Sequence, residues 1–163
     1  MIFGHQELFA IEVSKLPEKS LSCLLPLRIW INSIPLGTFE DETYIPVFMG
    51  RLARCVSKQI ALPAEIAHLG SREKFDYLSD DETTGEYVAG LGDSFDDYQM
   101  YYFHDANHIS FLWKLCENTF SSYNYGYNCN DLFEFKLRKE AVDKSIADFK
   151  SAIEKNIVRS DKK

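Results

Sequence analysis

The pattern that most restricts the fold is a change of hydrophobic period near the C-terminus. From 132 to 138 apolar and polar residues alternate, as in a strand with one buried face. The apolar side of this strand consists of Phe133, Phe135 and Leu137. Beyond it, the apolar positions are spaced by four, three and four residues, which predicts an amphipathic helix. These positions are Val142, Ile146, Phe149 and Ile153. A strand followed at once by such a helix predicts a helix lying on a sheet, with residues 158–163 fraying at its end.

Further strands and one more helix are expected upstream. The strands are predicted at Leu8–Val13, Leu24–Asn32, Tyr98–Phe103 and Ile109–Leu115. Turn residues at 33–37 predict a turn before a short return strand at 38–40.

A helix is expected after Thr43, which would be its N-cap, with Pro46 in the first turn. Its apolar face would consist of Phe48, Leu52, Cys55, Val56 and Ile60. Residues 64–97 are predicted to be irregular. The sequence therefore predicts one α+β domain over 1–163, a mostly antiparallel sheet with about two main helices packed on one face.

Charge is distributed very unevenly along the chain. The 163 residues contain 25 acids and 18 bases, a net charge of −7. Residues 75–113 contain acids and no Lys or Arg at all. Because nucleic-acid affinity comes mainly from Lys and Arg that neutralise phosphates, a nucleic-acid partner is not expected.

The sequence gives no indication of export or membrane insertion. No basic segment followed by a long apolar stretch opens the chain, and no run of about 18 apolar residues occurs. The four cysteines are scattered without a C-x-x-C pair, so reduced thiols are expected. We therefore expect a cytoplasmic protein with no membrane partner.

Candidate catalytic and metal-binding residues lack the context that their chemistry requires. His104 and His108 are four residues apart, but the residues between them predict a hairpin turn rather than a helix. Gly90 and Gly92 precede several acids that would repel a phosphate. Cys55 and Cys116 have no base nearby in the sequence pattern. We expect neither catalysis nor a cofactor.

The acidic middle of the chain is the candidate binding region. Acids alternate there with tyrosines, which predicts a surface that meets a basic protein: the acids would steer the encounter and the rings would anchor it. The residues of this predicted surface are Asp80, Asp81, Glu82, Glu86, Asp93, Asp96, Asp97, Tyr98, Tyr101 and Tyr102. The alternative is a solvated loop beside aromatic residues of the core.

Several short motifs resemble those of a known family. They are Ile2-Phe3-Gly4, then Phe9-Ala10-Ile11-Glu12, Arg28-Ile29-Trp30-Ile31-Asn32, Ile34 through Leu36-Gly37, Phe39-Glu40-Asp41, and Phe111-Leu112-Trp113-Lys114 before Phe135 and a closing helix. Together they resemble the immunity protein 42 family of bacterial polymorphic-toxin systems. The resemblance implies a small cytoplasmic α+β protein without catalysis that neutralises one cognate toxin domain, often one delivered by contact-dependent inhibition.

Resemblance and charge together predict an immunity protein that binds a toxin in a 1:1 complex, most simply a basic nuclease. It would occlude the active site or the substrate-binding face, or bind an exosite. The first alternative is an interaction domain for an unrelated basic partner. The second is a metal-dependent hydrolase using His104, Asp105 and His108.

Overall fold

Six short strands precede three α-helices, and three longer strands precede a fourth α-helix, over the residues described by the computed structural model, namely 1–16, 24–80, 84–119 and 123–160. The strands are β1 Ile2–His5, β2 Phe9–Val13, β3 Leu24–Leu25, β4 Leu27–Ile31, β5 Ile34–Leu36, β6 Thr43–Tyr44, β7 Tyr98–Asp105, β8 His108–Leu115 and β9 Phe133–Arg138. The helices are α1 Ile45–Ser57, α2 Ala64–Ala67, α3 Ser71–Leu78 and α4 Lys139–Ser160. No helix among these residues is long and apolar enough to cross a membrane.

All paired strands are antiparallel, which confirms the α+β prediction. They form an N-terminal sheet in the order β1-β2-β4-β5, a C-terminal sheet in the order β7-β8-β9, and a small β3-β6 ribbon. The two larger sheets share one core, in which the rings of Phe9 and Phe111 stack with centroids 6.3 Å apart. The single sheet that the sequence predicted is therefore divided in three.

The hairpin between β4 and β5 differs from the prediction. The inward face of β4 is fully buried at Leu27, Ile29 and Ile31, as its alternation predicted. The turn, however, consists of Asn32 and Ser33, both with positive φ, as a two-residue hairpin of type I′ requires. The return strand is therefore β5 rather than 38–40. Its Pro35 is tolerated because β5 is an edge strand, where a missing N–H breaks no ladder.

Helix α1 buries the predicted apolar face but begins differently. Phe48, Leu52, Cys55 and Val56 are buried, and Pro46 lies in the first turn. Ile60 is also buried, but it lies beyond the end of α1 at Ser57, so the helix is shorter than predicted. Thr43 was the expected N-cap, but it belongs to β6 and its hydroxyl bonds to Ser94 instead. Tyr44 occupies the cap position without a side-chain hydrogen bond.

Helix α3 lies within the segment predicted to be irregular. It has only two buried residues, Phe75 and Leu78, so its sequence shows little helical periodicity. The Phe75 ring meets Tyr101 of β7 edge to face, with centroids 5.4 Å apart. Helix α3 thus covers one face of the C-terminal sheet.

Helix α4 packs on the N-terminal sheet at a glycine. Val142 and Phe149 are fully buried. The Ser145 hydroxyl donates to the carbonyl of Phe9 at 3.1 Å, close beside Gly4. The helix continues to Ser160, past residue 158 where fraying was predicted, and 161–163 lie outside the described residues.

Candidate functional site

Strand β7 is buried on both faces, and this corrects part of the predicted binding surface. Asp97, Tyr98, Tyr101 and Tyr102 are all buried, none more than 7% exposed. Neighbouring residues of a strand point to opposite faces, so Tyr101 packs under α3 while Tyr102 points toward α1. These four side chains are core residues in this structure, and the expectation that they line the surface is wrong.

Asp97 and Tyr98 instead hold a distant loop in place. The Tyr125 hydroxyl donates to the Asp97 carboxylate at 2.6 Å. The Tyr98 hydroxyl accepts from the Gly37 backbone N–H at 3.0 Å and lies 3.1 Å from the Tyr127 hydroxyl. Burial raises the pKa of Tyr98 far above its usual range and that of Tyr127 to about 12, so both phenols stay neutral and bonded.

The remaining predicted acids are on the surface where they are described. Asp80, Glu86, Asp93 and Asp96 are exposed. Glu86 forms an ion pair with Lys58 at 3.0 Å, close to the end of α1. The predicted contacts Asp81 and Glu82 lie outside the described residues.

Four carboxylates from two distant segments line one surface cavity of about 370 Å³. They are Asp41 and Glu42, just before β6, and Asp93 and Asp96, just before β7. We call this set the acidic groove. The hydrogen bond between Thr43 and Ser94 ties the two segments together. Partial desolvation and the charge of Asp93 raise the pKa of Asp96, while the charge of Arg51 partly opposes the shift.

Sequence reasoning missed half of the acidic groove. The charge pattern placed Asp93 and Asp96 on a surface, whereas 38–40 was expected to be a return strand and 39–41 part of a family motif. The run Glu40-Asp41-Glu42 is acidic, but nothing in a linear charge pattern shows that it meets a segment fifty residues away. The contact depends on how β6 packs against the turn at 93–95.

Exposed apolar side chains lie beside the acidic groove. Tyr44, two residues beyond Glu42, is 46% exposed, and its pairing partner Leu24 is 44% exposed. Val47 in the first turn of α1 is 38% exposed. The surface beside the acids therefore offers an aromatic ring, although not one of those predicted.

The two histidines considered as metal ligands lie on opposite faces of the C-terminal sheet. His104 pairs with Ile109, whereas His108 pairs with Asp105, so the two imidazoles alternate across the strands. His104 Nδ1 accepts the Ile60 N–H at 3.1 Å, and burial lowers the pKa of this imidazole. Asp105 forms an ion pair with Lys136. The side chains proposed for a hydrolase therefore do not converge on one ion.

The candidate nucleophiles are also poorly placed for catalysis. Burial raises the pKa of the Cys55 thiol to about 12, which keeps it protonated. Burial also raises the pKa of Cys116, and the nearby Asp97 adds to that shift. A thiolate is the nucleophilic form of cysteine, so neither side chain is activated.

Comparison with known families assigns the chain. The family model for immunity protein 42 matches residues 1–152. The chain belongs to the immunity protein 42 family. Among solved structures, CdiI from Burkholderia dolosa AUO158 has a similar fold, with a TM-score of 0.59 and 14% sequence identity. The match covers 90% of this chain and 99% of that one. No curated protein matches the sequence significantly.

The motifs that carried the resemblance to the immunity protein 42 family meet on the outer face of the N-terminal sheet. Glu12 accepts hydrogen bonds from Arg28 Nε and Trp30 Nε1, both at 2.7 Å. The Arg28 guanidinium also lies over the rings of Trp30 and Phe39, 4.8 and 4.7 Å from their centroids. These contacts link three motifs of the sequence, and they explain the motifs as parts of the fold.

Proposed function

We propose that this member of the immunity protein 42 family neutralises a cognate bacterial toxin by binding it in a 1:1 complex, and that the toxin is a basic nuclease. The whole chain, 1–163, would act as one domain in the cytoplasm. The observation that carries the proposal is the acidic groove, in which two separate segments place four carboxylates on one cavity.

Such a cluster opposes folding but favours a basic partner. Like charges close together repel, and partial desolvation together with the charge of Asp93 raises the pKa of Asp96. A nuclease needs Lys and Arg side chains to bind phosphate, and carboxylates can occupy the positions of the phosphates. Complementary charge would accelerate association and exclude substrate, either at the active site or from a neighbouring exosite.

Exposed Tyr44 is the proposed anchor of the complex. Aromatic side chains that become buried at the centre of an interface often contribute much of the binding energy. Tyr44 adjoins the acidic groove and is 46% exposed, unlike the buried tyrosines of β7. It therefore takes the role that sequence reasoning gave to Tyr98, Tyr101 and Tyr102.

The test is co-expression with the toxin domain encoded immediately upstream. We expect cells to survive only when this protein is present, and the purified pair to elute as a 1:1 complex. The isolated toxin should degrade labelled DNA or RNA, and stoichiometric addition of this protein should stop the degradation. Survival without a complex would contradict neutralisation by binding. A complex with a toxin that degrades neither substrate would contradict the nuclease assignment alone.

A further inference from the structure

A second surface cavity, of about 250 Å³, lies along α1 near the acidic groove. Arg51 and Arg54 of α1 line it, together with the segment 85–90 and Tyr102 of β7. We call it the arginine pocket. Arg51 connects the two cavities: its guanidinium lies close to Gly90, and its charge acts on Asp96.

Arg51 and Arg54 are exposed, and neither forms an ion pair with an acid of the described residues, although the charge of Arg51 acts on Asp96. In the described part of the chain, ion pairs form at Arg28 and at four lysines, but not at Arg51 or Arg54. Glu86, an acid in the segment that lines the pocket, pairs with Lys58 instead. Two neighbouring arginines without a carboxylate form a site where an anion from another molecule can bind bidentately.

The third polar group of the arginine pocket is a buried hydroxyl. Tyr102 is 1% exposed, and its hydroxyl makes no hydrogen bond of ordinary geometry among the described residues, although the nearby Arg54 guanidinium partly opposes the rise that burial causes in its pKa. Leaving a buried donor unpaired is costly, so most such groups in folded proteins are satisfied. Here Tyr102 lines a cavity that two arginines border, and its hydroxyl would donate a hydrogen bond to an anion bound there.

We propose that the arginine pocket receives an aspartate or glutamate side chain of the cognate toxin, held by Arg51, Arg54 and the Tyr102 hydroxyl. The inference rests on the proposed function and adds the partner's chemistry. A singly charged carboxylate suits the pocket better than a phosphate dianion, because Glu86 and Asp96 lie around it. The toxin face would then carry a basic patch for the acidic groove and one acid beside it. A basic protein without that acid would leave the two arginines unpaired, so the combination of the two sites selects against other basic proteins.

The experiment measures toxin affinity for Arg51→Gln, Arg54→Gln and Tyr102→Phe. We expect each arginine variant to bind the toxin with a Kd about tenfold higher or more, as when one partner of a desolvated ion pair is removed. Tyr102→Phe should bind more weakly while its Tm stays equal to or above that of the wild type, because the lost hydroxyl had no partner. Lys144→Gln is the matched control, since it removes one positive charge from exposed α4.

A charge scan of the toxin then identifies the partner residue. One Asp→Asn or Glu→Gln variant of the toxin should weaken binding to the wild type but not further weaken binding to Arg54→Gln. Arginine variants that bind like the wild type would overturn this inference and leave the proposed function intact. A wild-type protein that binds no toxin would overturn both.

Discussion

Glu12 and Asp96 are carboxylates in opposite electrostatic settings. Burial alone would raise the pKa of Glu12, but its hydrogen bonds from Arg28 and Trp30 outweigh burial and lower it. The pKa of Asp96 is raised by burial and by Asp93. The fold thus stabilises the charge of Glu12 and opposes that of Asp96, which fits a structural role for the first and a binding role for the second.

Glu12→Gln should lower the free energy of unfolding by about 1–3 kcal/mol at neutral pH, because it removes the charge that Arg28 and Trp30 satisfy. The folded-state pKa lies below the unfolded value. The stabilisation is therefore present above the unfolded pKa and is lost as the pH falls through the folded pKa. Urea unfolding at neutral and acid pH measures this difference, which should shrink in acid. Exposed Glu7→Gln is the control, and an equal loss in both variants would contradict the account.

Asp96→Asn should raise the Tm slightly at neutral pH and weaken toxin binding. An acid whose pKa is raised by folding is most favourable when protonated, so stability declines as the pH rises from its unfolded pKa through the folded one. Removing the charge removes that cost. Thermal unfolding of Asp96→Asn beside Asp143→Asn, an exposed acid of α4, provides the comparison. A lower Tm for Asp96→Asn alone would mean that its charge supports the fold.

Among the elements, those with one buried face could be predicted and those without a face could not. Strand β4 and helix α4 show clear periods because every second or every third to fourth side chain is buried. Strand β1 has no fully buried residue, and α3 has only two. The hydrophobic pattern of neither element can be distinguished from that of a loop. The acidic groove was half predicted for a related reason: its two segments meet only through tertiary contacts.

The surroundings of Gly4 and Gly50 predict opposite effects on stability when each glycine is replaced by alanine. Gly4 has φ +104, and an added Cβ would lie 2.2 Å from Ser145 Oγ and 2.4 Å from the Phe9 carbonyl oxygen. Gly4→Ala should therefore lower the free energy of unfolding by more than about 1 kcal/mol. Gly50, within α1, has nothing within 4 Å, and Gly50→Ala should stabilise by roughly 0.5–1 kcal/mol. Chemical denaturation of both variants tests this account, and a tolerated Gly4→Ala would show that α4 docks less closely.

Over the whole molecule, the distribution of acids along the sequence differs from their distribution on the folded surface. Of the acids in 75–113, Asp97 is buried and accepts a hydrogen bond from Tyr125, while Glu86 and Asp105 form ion pairs. Asp93 and Asp96 combine instead with Asp41 and Glu42, from a part of the chain whose charges balance. The chain therefore concentrates its free acids by folding rather than by sequence order.

This arrangement connects binding to stability. Carboxylates that repel one another reduce stability in the free protein, and a basic partner that neutralises them removes that cost. Since a partner that binds only the folded state stabilises it, the complex should melt well above the free protein. An acidic groove that is unfavourable alone and favourable in a complex is expected of a protein whose function is to bind.

The most direct test of the account measures association with the upstream-encoded toxin domain by stopped flow at several salt concentrations. Asp93→Lys/Asp96→Lys is compared with Asp143→Lys/Asp148→Lys, which makes the same change in net charge on α4. We predict that the first variant associates at least about tenfold more slowly and with a flatter salt dependence, while the second resembles the wild type. Equal association rates for both variants would show that the acidic groove does not meet the toxin, and would contradict the central claim.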